Sequence, residues 1–102
     1  MGYIIIEVPD MNDSISRISL LGKQYQIRFT YNDTFGYWTF GIMDSLGNPI
    51  RLGTKIVPKM PLNLFWGTDD APWGVFGVLT NEEKIGRQSF VEGKAKFIFA
   101  PA

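Results

Sequence analysis

The chain has 102 residues and contains neither cysteine nor histidine. Without cysteine there is no disulfide framework, no thiol nucleophile, no thiolate zinc site and no cysteine-ligated iron–sulfur cluster. Without histidine the commonest general base, the usual base of a serine triad and the commonest transition-metal ligand are all missing. An excess of one charge is missing too, since ten Lys and Arg face ten Asp and Glu. Long-range attraction to phosphate is therefore weak, which disfavours DNA, RNA and anionic membrane as partners. Apolar runs are only a few residues long, and the opening Met-Gly-Tyr-Ile-Ile-Ile-Glu has neither the basic region nor the apolar length of a signal peptide. These absences together lead to the expectation of a nonmembrane, non-enzymatic protein made in the cytosol, with no cofactor, no metal and no catalytic residue.

What is present is apolar and aromatic: 45% of the residues are hydrophobic and 15% aromatic. A chain of this size buries about 65% of its unfolded surface, enough for one core without staples. The expectation is a single β domain spanning residues 1–102. The periodicity is mostly two. Tyr25, Ile27, Phe29 and Tyr31 alternate with Gln24, Gln26, Arg28 and Thr30, the pattern of a strand with one wet face. Before it, Ile18 and Leu20 share one face of a segment running from Ile15 to Leu21. The pair Gly22-Lys23, with its leading glycine, suits a type II′ turn, which makes 15–31 a hairpin.

Tyr37 to Asp44 places Trp38, Phe40 and Ile42 on a core face, preceded by the turn formers Asn32-Asp33-Thr34-Phe35-Gly36 and followed by Ser45 to Pro49, where Gly47 or Asn48 can take a positive φ. Ile50 to Val57 then alternates Ile50, Leu52 and Ile56 against Arg51, Gly53 and Lys55, before Pro58 and Pro61 interrupt the ladder. These four segments form a meander from 15 to 57. Tyr3 to Val8 reads as a further strand, as does the closing alternation of Ala95, Phe97 and Phe99 with Lys94, Lys96 and Ile98. Between them, Leu62 to Trp66 and Trp73 to Leu79 read as one helical turn or irregular segment and one or two short strands. Asn81 to Lys84 offers a helix start that Gly86 stops. The fold class is all-β: six or seven mostly antiparallel strands forming a small barrel or a two-layer sandwich.

Few residues here point to chemistry. Asp10, Asn12 and Ser14 share the opening spacing of a calcium loop, but Ile15 stands where its glycine is required and Leu21 where its bidentate glutamate is required. Asp69-Asp70 and Glu82-Glu83 are adjacent carboxylates that point apart on an extended chain, so they read as solvated loop charges. Gly74-Val-Phe-Gly77 lacks the Gly-Lys-Ser/Thr ending of a phosphate loop. The aromatics matter more. Trp38 reads as core, whereas Phe65, Trp66 and Trp73 lie in an aperiodic stretch and read either as core or as anchors of a protein interface, with Arg87 as a further candidate contact. The same aromatics could stack on a glycan, with Asn63, Asp69 and Asp70 supplying hydrogen bonds, so a non-catalytic domain that binds a glycan or peptide is the alternative function. Arg87, Lys94 and Lys96 make too small a basic cluster for a nucleic-acid groove, and the strand lysines suit a guarded sheet edge.

The run from Leu21 to Asn32 (LGKQYQIRFTYN), then Tyr37-Trp38-Thr39-Phe40, then Asp44 to Ile50 (DSLGNPI), continuing through Leu52-Gly53 to Ile56-Val57, resembles the plug-like baseplate proteins of contractile-tailed bacteriophages. The likeness covers about half the chain, with a weaker match at Phe97 to Ala100, and stops between Pro58 and Gly93. It implies a small β-rich structural subunit near the central hub, the spike and the end of the tail tube. Its partners would be those proteins, with self-association in a ring as a further option. It also implies a location in the tail baseplate of the virion after synthesis in the bacterial cytoplasm, and no enzyme activity.

Overall fold

A computed structural model describes residues 2–58 and 74–101. They form seven strands: β1 (Ile4–Ile6), β2 (Asp13–Leu20), β3 (Lys23–Asn32), β4 (Tyr37–Asp44), β5 (Pro49–Lys55), β6 (Gly74–Thr80) and β7 (Ala95–Pro101). The meander β2-β3-β4-β5 is one antiparallel sheet, and β1-β7-β6 is the other. The all-β expectation holds, and of its two forms the sandwich is the one adopted: the strands close into two separate sheets and not into a barrel. The candidate helical turn at 62–66 lies outside the described residues, and the apolar run after Trp73 forms the single strand β6.

The turns explain the registers. Asn32 Oδ1 accepts hydrogen bonds from the backbone N–H groups of Thr34 (3.0 Å) and Phe35 (3.1 Å), and Gly36 closes the β3–β4 loop at φ +71°. Asp44 does the same for the β4–β5 loop, accepting from the N–H groups of Leu46 and Asn48 at 2.9 Å each, with Gly47 at φ +86°. In both loops a short side-chain acceptor replaces the ladder bonds that the backbone gives up where it turns.

Three local expectations are corrected. The β2–β3 turn is Leu21-Gly22, not Gly22-Lys23: Leu20 pairs with Lys23, and both intervening residues have positive φ (54° and 78°), the signature of a type I′ turn. Leu52 does not share the inward face of Ile50 and Ile56. Two register shifts insert extra residues into β5 opposite Phe40 to Met43, with Gly53 at φ +73°, and Leu52 turns outward onto Gly41, 55% exposed. Asn81 to Lys84 starts no helix. The chain tightens later, at 86–93, where Glu92 N–H donates to Gln88 O and Ser89 N–H to Gly86 O.

The core lies between the sheets. Phe29 and Phe40 project from the meander to meet Phe76, Phe97 and Phe99 from the other layer, all fully buried. Phe97 is central, its ring 5.0 Å from both Phe29 and Phe40 in edge-on geometry and 5.9 Å from Phe76. Tyr25, Ile27, Ile42 and Leu20 complete the inward stripes that the alternation predicts, and Trp38 is core, 1% exposed.

Candidate protein interface

Which surfaces remain once the core is closed follows from the two-residue period. In the meander sheet the outward rows are Asp13–Thr30–Thr39–Lys55, Ile15–Arg28–Gly41 and Arg17–Gln26–Met43. This face is mostly polar. Arg28 clamps Asp13 with two hydrogen bonds of 2.8 and 2.7 Å, which hold the Asp13 carboxyl below its usual range and raise the guanidinium's pKa. An antiparallel sheet with one solvated face has this character.

The other sheet differs. Its inward residues are Ile4, Ile6, Phe97, Phe99, Phe76 and Val78, yet its outward rows are also apolar: Ile5–Ile98–Gly77 across the middle, Ala100–Val75 on one side and Lys96–Leu79 on the other. Ile5 is 54% exposed and Leu79 41%, and Tyr3, two residues before Ile5, is 52% exposed. Gly77, beside Ile98 in the middle row, is buried, although a Cβ built on it would meet nothing within 4 Å among the described residues. Lys96 is the only charged residue of the three strands in these outward rows. The exposed apolar residues of this face are Tyr3, Ile5 and Leu79.

Arg87 has a different setting. Its Nε donates to Asn12 Oδ1 (2.6 Å), its Nη1 to Asp10 Oδ1 (2.9 Å), and its guanidinium carbon lies 5.5 Å from the centre of the Trp38 ring. Trp38 Nε1 in turn donates to Gly86 O at 3.2 Å, and Phe90 packs edge-on to the indole at 5.9 Å. Arg87 thus pins the β6–β7 connection to the β1–β2 loop and to β4, one arginine satisfying three elements at once. The Asp10 and Asn12 oxygens of the calcium-like spacing are therefore occupied by Arg87, and Ser14 points inward from β2. Phe65, Trp66, Trp73, Asn63, Asp69 and Asp70 lie outside the described residues. Glu82 and Glu83 are both exposed, and among the described residues no three acidic side chains gather into a cation site.

The alternation alone does not join the two halves of the apolar outer face, because Ile5 and Ile98 meet only when β1 pairs with β7. Its signal was present. Ile4-Ile5-Ile6 and Val75 to Leu79 are unbroken apolar runs with no polar alternation, the mark of strands covered on both faces, and Ile98 interrupts what should be a lysine face.

The fold is a two-layer all-β sandwich of two antiparallel sheets. The comparison with protein families gives the particular kind: the family model described as "Cyanophage baseplate Pam3 plug gp18" matches residues 1–101, and the chain belongs to that family, a phage baseplate plug family. A search of curated proteins returns no match.

Proposed function

We propose that this chain is the plug subunit of a contractile phage tail baseplate, packing near the central hub, the spike and the end of the tail tube, and acting without turnover. Membership of the plug family supports a structural baseplate role, and the observation that carries the contact surface is the apolar outer face of β1-β7-β6. Tyr3, Ile5 and Leu79 are its exposed apolar residues, costly to leave in water and able to form a dry contact when a neighbour covers them. Phe65, Trp66 and Trp73 are proposed as further anchors. Arg87 contributes by holding the β6–β7 connection in place and by presenting the part of its side chain that stays accessible, 24% of its surface. The subunit is made in the host cytoplasm and then built into the virion.

Co-expression with the hub, spike and tube-end proteins of the same phage, followed by size-exclusion chromatography with mass determination, tests this reading. A defined complex that Ile5→Asp and Ile98→Asp weaken is the expected result. A chain that elutes alone beside every tail protein overturns it.

A further inference from the structure

The two sheets leave edges, and natural proteins guard theirs. At one end of the meander, β5 is guarded: it opens on Pro49, carries two register shifts, contains Gly53 at positive φ and ends on Lys55. At the other end, β2 is not. Its eight residues, DSISRISL, contain no Pro, Gly or Lys and pair with β3 in one unbroken register from Asp13–Thr30 to Leu20–Lys23. A groove of about 350 Å³ separates this edge from β1, with Ile4 to Ile6 on one side and Ser16 to Ile18 on the other.

Which backbone groups β2 presents follows from the ladder. Leu20 and Lys23 flank a two-residue turn and so form a hydrogen-bonded pair, and Tyr31 N–H donates to Asn12 O at 2.7 Å. Even-numbered residues therefore bond to β3, and the N–H and C=O groups of Asp13, Ile15, Arg17 and Ser19 point out of the sheet. Two side-chain facts accompany them. Arg17 makes no ion pair among the described residues. Ser14 Oγ, on the inward side, is buried with no hydrogen-bond partner among the described residues.

We propose that β2 pairs with β2 of a second copy of this chain, antiparallel about a twofold axis at Ile15. Outward-bonding residues must meet outward-bonding residues, which restricts the register to a few choices. Centring on Arg17 sets two guanidinium groups opposite each other. Centring on Ser14 or Ser16 sets a charge opposite Ile15. Centring on Ile15 places Ile15 against its own copy and Arg17 against the partner's Asp13, matching charge with charge and methyl with methyl. In that register Ser14 stands opposite Ser16 of the partner, in a closely spaced pair that gives the orphan hydroxyl an acceptor or a donor. The carboxylate of Asp13 keeps accepting capacity beyond the bonds from Arg28 and Thr30, so it takes a second guanidinium without releasing the first. About six new backbone hydrogen bonds join the two meanders into one eight-stranded sheet.

The test uses the full chain and its lack of cysteine. Sedimentation equilibrium between about 1 and 100 μM should show a monomer–dimer equilibrium, the range expected of a small interface. Ile15→Pro removes an outward N–H that bonds to nothing among the described residues, so the monomer should keep its circular dichroism while dimerisation weakens at least tenfold. As a second measurement, Ile15→Cys should oxidise to a disulfide-linked dimer, because a hydrogen-bonded antiparallel pair brings Cα atoms to about 5.5 Å, within disulfide reach. Ser19→Cys should not, since its copy lies about 27 Å away in this register. Equal cross-linking at both positions overturns the register. A monomer at every concentration overturns the self-pairing, and if β2 amides then become protected from exchange only in a complex with another baseplate protein, the edge belongs to a heterologous strand.

Discussion

Phe97 and Ile98 are neighbours in β7 that point to opposite sides of one sheet, and substituting each in turn separates folding from assembly. Phe97 is fully buried with aromatic rings on three sides. Phe97→Ala removes a side chain that its neighbours cannot refill without moving both sheets, so a loss of about 4 kcal/mol is expected. A chain of this size has a total stability of about 10 kcal/mol, so the variant keeps a little over half of it, and its Tm falls by about 20 °C. Ile98 is half-buried on the outer face. Ile98→Asp costs about 1 kcal/mol through strand preference and lost cross-strand contact with Ile5, a Tm change of about 5 °C. At the centre of a packing face the same change should weaken association by about 2 kcal/mol, or about 30-fold. Urea unfolding followed by tryptophan fluorescence measures the first quantity, and retention of the chain in the co-expressed baseplate complex measures the second. The reasoning is refuted if Ile98→Asp unfolds the protein as severely as Phe97→Ala, or if it assembles as well as the unsubstituted chain.

Three other expectations follow from single positions. Leu21 sits at φ 54°, a region that costs a branched side chain about 1 kcal/mol, so Leu21→Asn, which suits the first position of a type I′ turn, should raise the Tm by about 4 °C in a thermal scan. A Cβ at Gly74 would lie 2.5 Å from the Ala100 carbonyl oxygen and 2.6 Å from the Phe99 ring, whereas one at Gly77 has open space; Gly74→Ala should therefore destabilise by about 2 kcal/mol or more and Gly77→Ala by under about 0.5 kcal/mol in urea titrations. Asp44 is held below its ordinary value of 3.8 chiefly by the Asn48 backbone N–H, and Asp13 likewise by Arg28. A folded pKa below the unfolded one stabilises above about pH 4 and loses that contribution as pH falls through the folded value, so Tm should decline from pH 4 to pH 2, less steeply in Asp44→Asn.

The meander was legible because its strands alternate, most plainly in β3. Gln24, Gln26, Arg28 and Thr30 mark the outside of β3 as clearly as Tyr25, Ile27 and Phe29 mark its inside. Where the period fails, so did the reading. The extra residues in β5 move Leu52 across the sheet, and nothing local distinguishes a bulge of that kind from an unbroken alternation until the β4 partner is known. A two-residue turn shifted by one position leaves the flanking strands much the same, so alternation alone does not separate Leu21-Gly22 from Gly22-Lys23. The role of Arg87 was opaque for another reason: its partners Asp10 and Asn12 lie more than 70 residues away, and only the fold brings them together. The apolar face was hidden by the same logic, since Ile5 and Ile98 become neighbours only when β1 and β7 pair.

That pairing also orders events in time. The meander is complete once residue 55 has been synthesised, but β1 waits through the making of some 90 further residues before its one strand partner among the described residues exists. The outer face of the β1-β7-β6 sheet is assembled from the earliest and the latest parts of the described chain, so a truncated product carries the meander without that face. A chain cut short before residue 95 therefore lacks β7 and with it the strand that joins β1 to β6.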